Sequence, residues 1–220
     1  MSSLFLLGHR GARATRSIPE NTLESFALAL AHGCDGFEFD VRRTADGRAV
    51  IRHDPNFGDT EVATADASQL HDLPTLDLIL THYAQTAFLD IEIKVTGLEQ
   101  RVLAALKAYP PTRGYVVSSF LPEVLLSLRK LDQQLPLGLL CESPSHLAAW
   151  IHLPVQFVIP HFTLVDRELC RMLHTAGRKL FVWTVNGREA MLRMQRCGVD
   201  GIISDQTKLL VAVLRTQAEA

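Results

Sequence analysis

The chain predicts an α/β protein folded as a TIM (β/α)8 barrel, and three observations carry that prediction. Short apolar runs alternate with amphipathic helical stretches almost to the C-terminus. With one extra strand left out, the alternation counts eight strands, each followed by a helix, the pattern of parallel strands joined by crossover helices. No glycine-rich phosphate loop follows the first strand. Gly8-His9-Arg10-Gly11 lacks that spacing and the next helix starts too late, which disfavours an open doubly wound sheet.

The first strand is expected at 4–7. A helix over 19–32 follows, with Pro19 in its first turn and Glu20 near the positive end of its dipole, and Gly33 stops it. The second strand spans 36–41. Asp46-Gly47 then turns the chain into a short extra strand at 48–52. Residues 55–73 are polar and without a period, and read as a short cap loop. The alternation then resumes with a helix at 75–83, a strand at 87–93, a helix at 98–109 and a strand at 115–119. Next come a helix at 122–131, a strand at 137–141, a short helix at 145–152 and a strand at 156–159. A helix at 166–176 ends at Gly177, a strand covers 179–185, and a helix at 188–196 ends at Gly198. A strand at 201–204 and a helix at 208–218 complete the series. No repeat, low-complexity tract or linker interrupts it, so 1–220 reads as one domain.

At 220 residues and 47% hydrophobic, the chain can bury a large core. Its formal net charge is −2 with no basic stripe, which argues against nucleic-acid and membrane-surface binding. The four cysteines, Cys34, Cys141, Cys170 and Cys197, form no C-x-x-C pair and read as free thiols in a reducing compartment. The N-terminus lacks a basic segment and a long apolar run, and no stretch is long enough to span a bilayer. The expectation is a cytoplasmic protein without membrane insertion; a homodimer stays open.

Side chains alternate along a strand, so Glu38 and Asp40 share one face of the second strand, and Glu92 and Lys94 share one face near the end of the third. Parallel barrel strands ordinarily read as apolar throughout, and inward charges are costly unless paired or bound to a metal. All four residues lie near the C-terminal ends of their strands, where barrels place active sites. Three converging carboxylates repel one another, and a hard divalent cation, Mg²⁺ or Ca²⁺, relieves that repulsion through oxygen ligands. A glycosidase-like acid pair or an ion-pair network are the competing readings. His9 and His53 each follow a strand and can give or take a proton near neutrality. Among the other histidines, His161 alone sits at the same end of the barrel and reads as a mouth-lining residue. Arg10 and Lys94 add fixed positive charge suited to a phosphate diester and poorly suited to a neutral sugar.

Together these residues resemble the glycerophosphodiester phosphodiesterase family. The resemblance rests on His9-Arg10-Gly11, Pro19-Glu20-Asn21-Thr22, Phe26 and Ala29, Gly33, Asp35, Glu38, Asp40-Val41, Thr44, Asp46-Gly47 and His53-Asp54. Further along, it rests on Leu73-Pro74-Thr75-Leu76, Ile91-Glu92-Ile93-Lys94, Ser118-Ser119-Phe120, Trp183-Thr184-Val185-Asn186 and Gly198-Val199-Asp200-Gly201. It implies a TIM barrel and hydrolysis of glycerophosphodiesters to glycerol 3-phosphate and an alcohol. It further implies that Glu38, Asp40 and Glu92 hold a metal, that His9 and His53 form an acid/base pair, and that Arg10 and Lys94 bind phosphate. Trp183 would line the glycerol side or pack as an aromatic in the barrel top. Glu20 or Asn21 would reach the groups behind the metal ligands. Two departures stand out. The segment after His53 is shorter than the inserted subdomain of many relatives, and Ser204-Asp205-Gln206-Thr207 replaces the usual T-D-x-P. A lysophospholipase D-type lipid phosphodiesterase and a non-catalytic phosphate-ligand-binding barrel are the alternatives.

Overall fold

The computed structural model describes residues 4–215. Eight parallel strands close into a barrel: β1 (Phe5–His9), β2 (Gly36–Arg43), β6 (Phe88–Ile93), β7 (Tyr115–Ser119), β8 (Leu137–Cys141), β9 (Phe157–Pro160), β10 (Lys179–Val182) and β11 (Gly201–Ser204). β1 pairs in parallel with both β11 and β2, which closes the ring. Three short strands lie between β2 and β6: β3 (Ala49–Ile51), which runs antiparallel to β2, and the hairpin of β4 (Asn56–Phe57) and β5 (Thr60–Glu61). The helices are α1 (Leu23–Ala31), α2 (Leu76–Tyr83), α3 (Glu99–Ala108), α4 (Pro122–Leu131), α5 (Pro144–Ala148), α6 (Arg167–Thr175), α7 (Arg188–Cys197) and α8 (Thr207–Leu214).

Alternation along the strands builds two cores. Phe37, Phe39 and Val41 of β2, with Leu89, Ile91 and Ile93 of β6, point outward and pack beneath the helices in the main cluster. The opposite faces fill the barrel. Phe88, Phe157 and Phe181 form an aromatic plug at its N-terminal end, with ring centroids 5.2–5.7 Å apart along the chain of contacts. Gly201 leaves room for this plug, since a Cβ there would fall 2.7 Å from the Phe181 ring. Above the plug the interior turns polar, with Asp90 and then Glu38, Asp40 and Glu92, all buried. The apolar lower half therefore supports a charged upper half that opens at the C-terminal rim.

The structure differs from the expected elements at several ends. The first helix starts at Leu23, four residues later than expected. Thr22 caps it by accepting a hydrogen bond from the Ser25 amide, and Asn21 sits at φ 60°, outside any helix. Pro19 and Glu20 belong to the preceding loop, where Glu20 pairs with Arg10 and Arg13 rather than with a helix dipole. Residues 55–73 are more than a loop. The β4–β5 hairpin and a 3₁₀ turn at Ala67–Leu70 gather a small separate core of Val50, Val62, Ala65 and Leu70. The helix expected at 145–152 divides into α5 and a 3₁₀ turn at Ala149–His152, and β10 stops at Val182 rather than at 185. The last helix is described to Leu214, and the expected residues 216–218 lie outside the described residues.

Candidate active site

His9 ends β1 beside Glu38 of β2, and the chain then turns sharply through two left-handed residues, Arg10 (φ 52°) and Gly11 (φ 83°). A Cβ on Gly11 would lie 2.3 Å from Ser25 Oγ and 2.6 Å from the Ser25 carbonyl carbon, so only glycine lets this turn rest on α1. The turn aims the Arg10 amide at Glu38 Oε2 (3.1 Å). The Arg10 guanidinium donates to Glu20 Oε1 (2.8 Å) and brings Nε within 3.2 Å of Asp40 Oδ2.

His9 Nδ1 lies 2.7 Å from Asp205 Oδ1, just beyond β11. An ionised carboxylate only accepts, so Nδ1 carries the proton and Nε2 is left facing the cavity, 3.8 Å from Glu38 Oε2. Asn186 Nδ2 donates to Asp205 Oδ2 (2.7 Å), and Asp205 also receives Arg13 Nη1 at 3.4 Å. Burial alone would raise the Asp205 carboxyl, but the bonds from His9 and Asn186 and the Arg13 charge bring it down to about 2. His53 repeats the arrangement at the rim, with its Nδ1 2.8 Å from Asp54 Oδ1 and its other ring nitrogen left free of that bond. Burial holds the His53 imidazole below its ordinary range, against the opposing pull of Asp54 and Asp40.

Glu38, Asp40 and Glu92 each offer a carboxylate oxygen, and these atoms lie within 4.8 Å of one another. Register explains the convergence: Asp40 is opposite Glu92 on the adjacent strands, with both side chains pointing inward. Lys94 Nζ lies 2.6 Å from Glu92 Oε1 and 3.3 Å from Asp40 Oδ1. Asn21 Nδ2 donates to Asp40 Oδ2 (2.8 Å). Burial, and then the neighbouring acids, push Glu38 well above its ordinary value and Glu92 up to about 8. Burial acts on Asp40 in the same sense, but Lys94, Arg10 and the Asn21 hydrogen bond outweigh it and hold Asp40 down. Glu38 Oε1 is buried with no hydrogen-bond partner. An orphaned buried carboxylate oxygen inside a strained cluster of acids fits a hard cation, which would supply both the missing partner and the missing charge.

These groups share one cavity of about 280 Å³ that His9, Arg10, Glu38, His53, Glu92 and Lys94 line on one side. The other side is built differently. Phe120 and Trp183 meet edge to face at 5.4 Å, and His161 packs its ring against Trp183 at 5.5 Å. Trp183 Nε1 donates to the Ile159 carbonyl (2.9 Å), which fixes the indole in the wall. Glu142, just past β8, completes this side. All eight residues expected at a site from sequence line this one cavity or, for Asp40, lie directly behind its wall.

The sequence model of the Glycerophosphoryl diester phosphodiesterase family matches residues 9–102 and 90–209, which together take in every one of these residues. The chain belongs to this family. A glycerophosphodiester phosphodiesterase of Caldanaerobacter subterraneus subsp. tengcongensis is 31% identical to this member of the family, over 96% of this chain and 97% of its own. Among solved structures, the glycerophosphodiester phosphodiesterase of Thermotoga maritima superposes with a TM-score of 0.84 at 25% identity, covering 97% of this chain and 99% of its own. An Oleispira antarctica phosphodiesterase in complex with the product sn-glycerol-3-phosphate has the same fold, at TM-score 0.84 and 23% identity, over 96% of each chain. The TIM barrel is thus the fold of this glycerophosphoryl diester phosphodiesterase family member. No helix among its described residues is long and apolar enough to cross a membrane.

Three residues at or beside the cavity were given no role from the sequence. Asp205 was visible only as part of a degenerate motif, yet it bonds His9 across 196 positions. Asn186 holds Asp205 from the loop after β10. Glu142 follows an ordinary apolar strand, L-G-L-L-C, and no pattern marks it.

Proposed function

We propose that this chain hydrolyses glycerophosphodiesters to glycerol 3-phosphate and an alcohol, as one barrel domain that uses a divalent cation, Mg²⁺ or Ca²⁺, and two histidines. The observation that carries the reading is the meeting of three buried carboxylates, two histidines and two fixed cations in one cavity of a member of this family. Glu38, Asp40 and Glu92 would hold the cation, which when bound supplies Lewis-acid polarisation of a phosphate oxygen and of the attacking hydroxyl.

The chain's own groups do the rest. Arg10 and Lys94 stand beside the acids and would draw the phosphoryl oxygens toward the same point, offsetting charge that builds up at phosphorus. His9 and His53 each have Nδ1 committed to a carboxylate, which frees the other nitrogen for proton transfer. One takes the proton of the glycerol hydroxyl as it attacks phosphorus, and the other protonates the departing alcohol oxygen. Water then opens the resulting cyclic phosphate with the roles reversed. Trp183, locked by its bond to Ile159, would wall the glycerol side.

Purified protein, tested on glycerophosphocholine, glycerophosphoethanolamine and a lysophospholipid with Mg²⁺, Ca²⁺ or chelator, should release glycerol 3-phosphate only from the first two and only with metal. His9→Ala and His53→Ala should each lower kcat by about 100-fold or more while leaving the thermal midpoint near the parent value. Full turnover by both variants, or turnover in chelator, defeats the reading. Activity on the lysophospholipid alone would point to the lipid enzyme instead.

A further inference from the structure

The cavity mouth is divided by strand order. The ends of β1, β2, β3 and β6 carry the histidines, acids and cations, whereas the ends of β7, β8 and β10 carry Phe120, Glu142 and Trp183. Glu142 is the only carboxylate on that second half of the cavity lining. It is exposed, and it makes no hydrogen bond or ion pair among the described residues. The fixed cations nearest the cavity floor are already committed, Arg10 to Glu20 and Asp40, and Lys94 to Glu92 and Asp40. Phe120, at the end of the neighbouring strand β7, lines the same cavity as Glu142, and its ring already faces a cation, with Lys94 Nζ 5.7 Å from the centroid.

A diester whose phosphate sits over Arg10 and Lys94, with its glycerol arm against Trp183, has its alcohol arm left to run past Phe120 toward Glu142 at the exposed rim. A free carboxylate beside aromatic rings complements an ammonium group with an apolar skin, and it repels an anionic arm. We propose that Glu142, with Phe120 as its apolar wall, selects diesters whose alcohol arm carries a cationic amino group. The proposal rests on the diesterase reading above and adds to it the class of alcohol that this chain prefers.

The decisive pair of substrates is glycerophosphocholine and its uncharged isostere, in which 3,3-dimethylbutanol replaces choline. The two arms have the same size and shape and differ only in charge. The parent protein should favour the choline diester by about fivefold in kcat/KM, the scale of one partly exposed ion pair. That preference should shrink as salt is raised from 10 mM to 500 mM, because the pair is open to screening. In Glu142→Gln the ratio of the two substrates should fall to about one. Equal kcat/KM for the two in the parent protein, a preference indifferent to salt, or one that survives in Glu142→Gln would overturn the proposal. The salt series on the parent protein decides the matter even if the variant does not fold. Turnover of neither substrate with any metal would bring down the diesterase reading itself, and this inference with it; turnover of both without preference sinks the inference alone.

Discussion

At the scale of single residues, the bond between His9 Nδ1 and Asp205 constrains the chemistry of the imidazole. It sets which ring nitrogen carries the proton, and thereby which one meets the substrate. Asparagine at 205 could keep the size and the bond to the loop, yet its amide can donate to Nδ1 and so stabilise the opposite tautomer. Asp205→Asn should therefore lower kcat by about 100-fold or more with KM little changed, since the group lost acts on proton transfer rather than on binding. The ¹⁵N shifts of the His9 ring should report Nδ1–H in the parent and Nε2–H in the variant. An unchanged tautomer together with near-parent kcat would remove Asp205 from the catalytic arrangement. This residue also marks the limit of reading the chain directly. Glu38, Asp40, Glu92 and Lys94 were legible because charges at alternate positions of an apolar strand announce an inward polar face. Asp205 and Asn186 sit after their strands, in loops where polar residues are ordinary, and their meaning lies in partners that only barrel closure brings near.

Among the elements, the connection from β1 to α1 shows how local backbone chemistry positions the site. The expected helix began at Pro19 because proline and glutamate are common in a first turn. Two stronger demands prevail: Thr22 makes the cap, and Asn21 is held at φ 60° by its amide bond to the Arg10 carbonyl and its side-chain bonds to Asp40. The cap segment was misread for a different reason. Its strands are two residues each, too short to show a period, and its four-residue core is scattered along the sequence. By contrast, the eight barrel strands and most helices were legible from their apolar runs and terminal glycines, because each buries one continuous face. Gly11 is the hinge of the β1–α1 connection. Gly11→Ala should cost about 3 kcal/mol, combining a left-handed φ with a collision against the α1 backbone. Gly47→Ala provides the control, since Gly47 has φ 79° but nothing within 4 Å of a new Cβ, and should cost about 1 kcal/mol. Urea midpoints for the pair measure the difference. Equal losses would mean that close approach to α1 contributes nothing.

For the whole molecule, the barrel gathers carboxyl groups into its upper interior faster than the chain can neutralise them, and the consequence is readable in stability against pH. Burial lifts Asp90 to about 7 and Glu92 to about 8, and it lifts Glu38 in the same direction. These groups have ordinary values in the unfolded chain, near 4. Between about pH 4.5 and 8 the metal-free folded state therefore holds more protons than the unfolded one, so its stability falls as pH rises through that window. Asp205 has the opposite sign: its value of about 2 contributes stability that is lost only as pH falls below the ordinary carboxylate range, well outside this window. A divalent cation bound by Glu38, Asp40 and Glu92 replaces protons at the cluster, so its affinity should rise over the same interval in which the metal-free protein weakens. At a cation concentration of about 100 times Kd the gain is about 2.7 kcal/mol, which for a chain of this length raises the thermal midpoint by about 5–10 °C. Melting curves in chelator should therefore drop from pH 6 to pH 8.5, and Mg²⁺ or Ca²⁺ should restore the midpoint at pH 8.5 while adding much less at pH 6. A metal-induced shift of equal size at both pH values would separate the cation from the buried acids. No shift at either pH would leave the three carboxylates as a charge cluster held only by Arg10, Lys94 and shared protons.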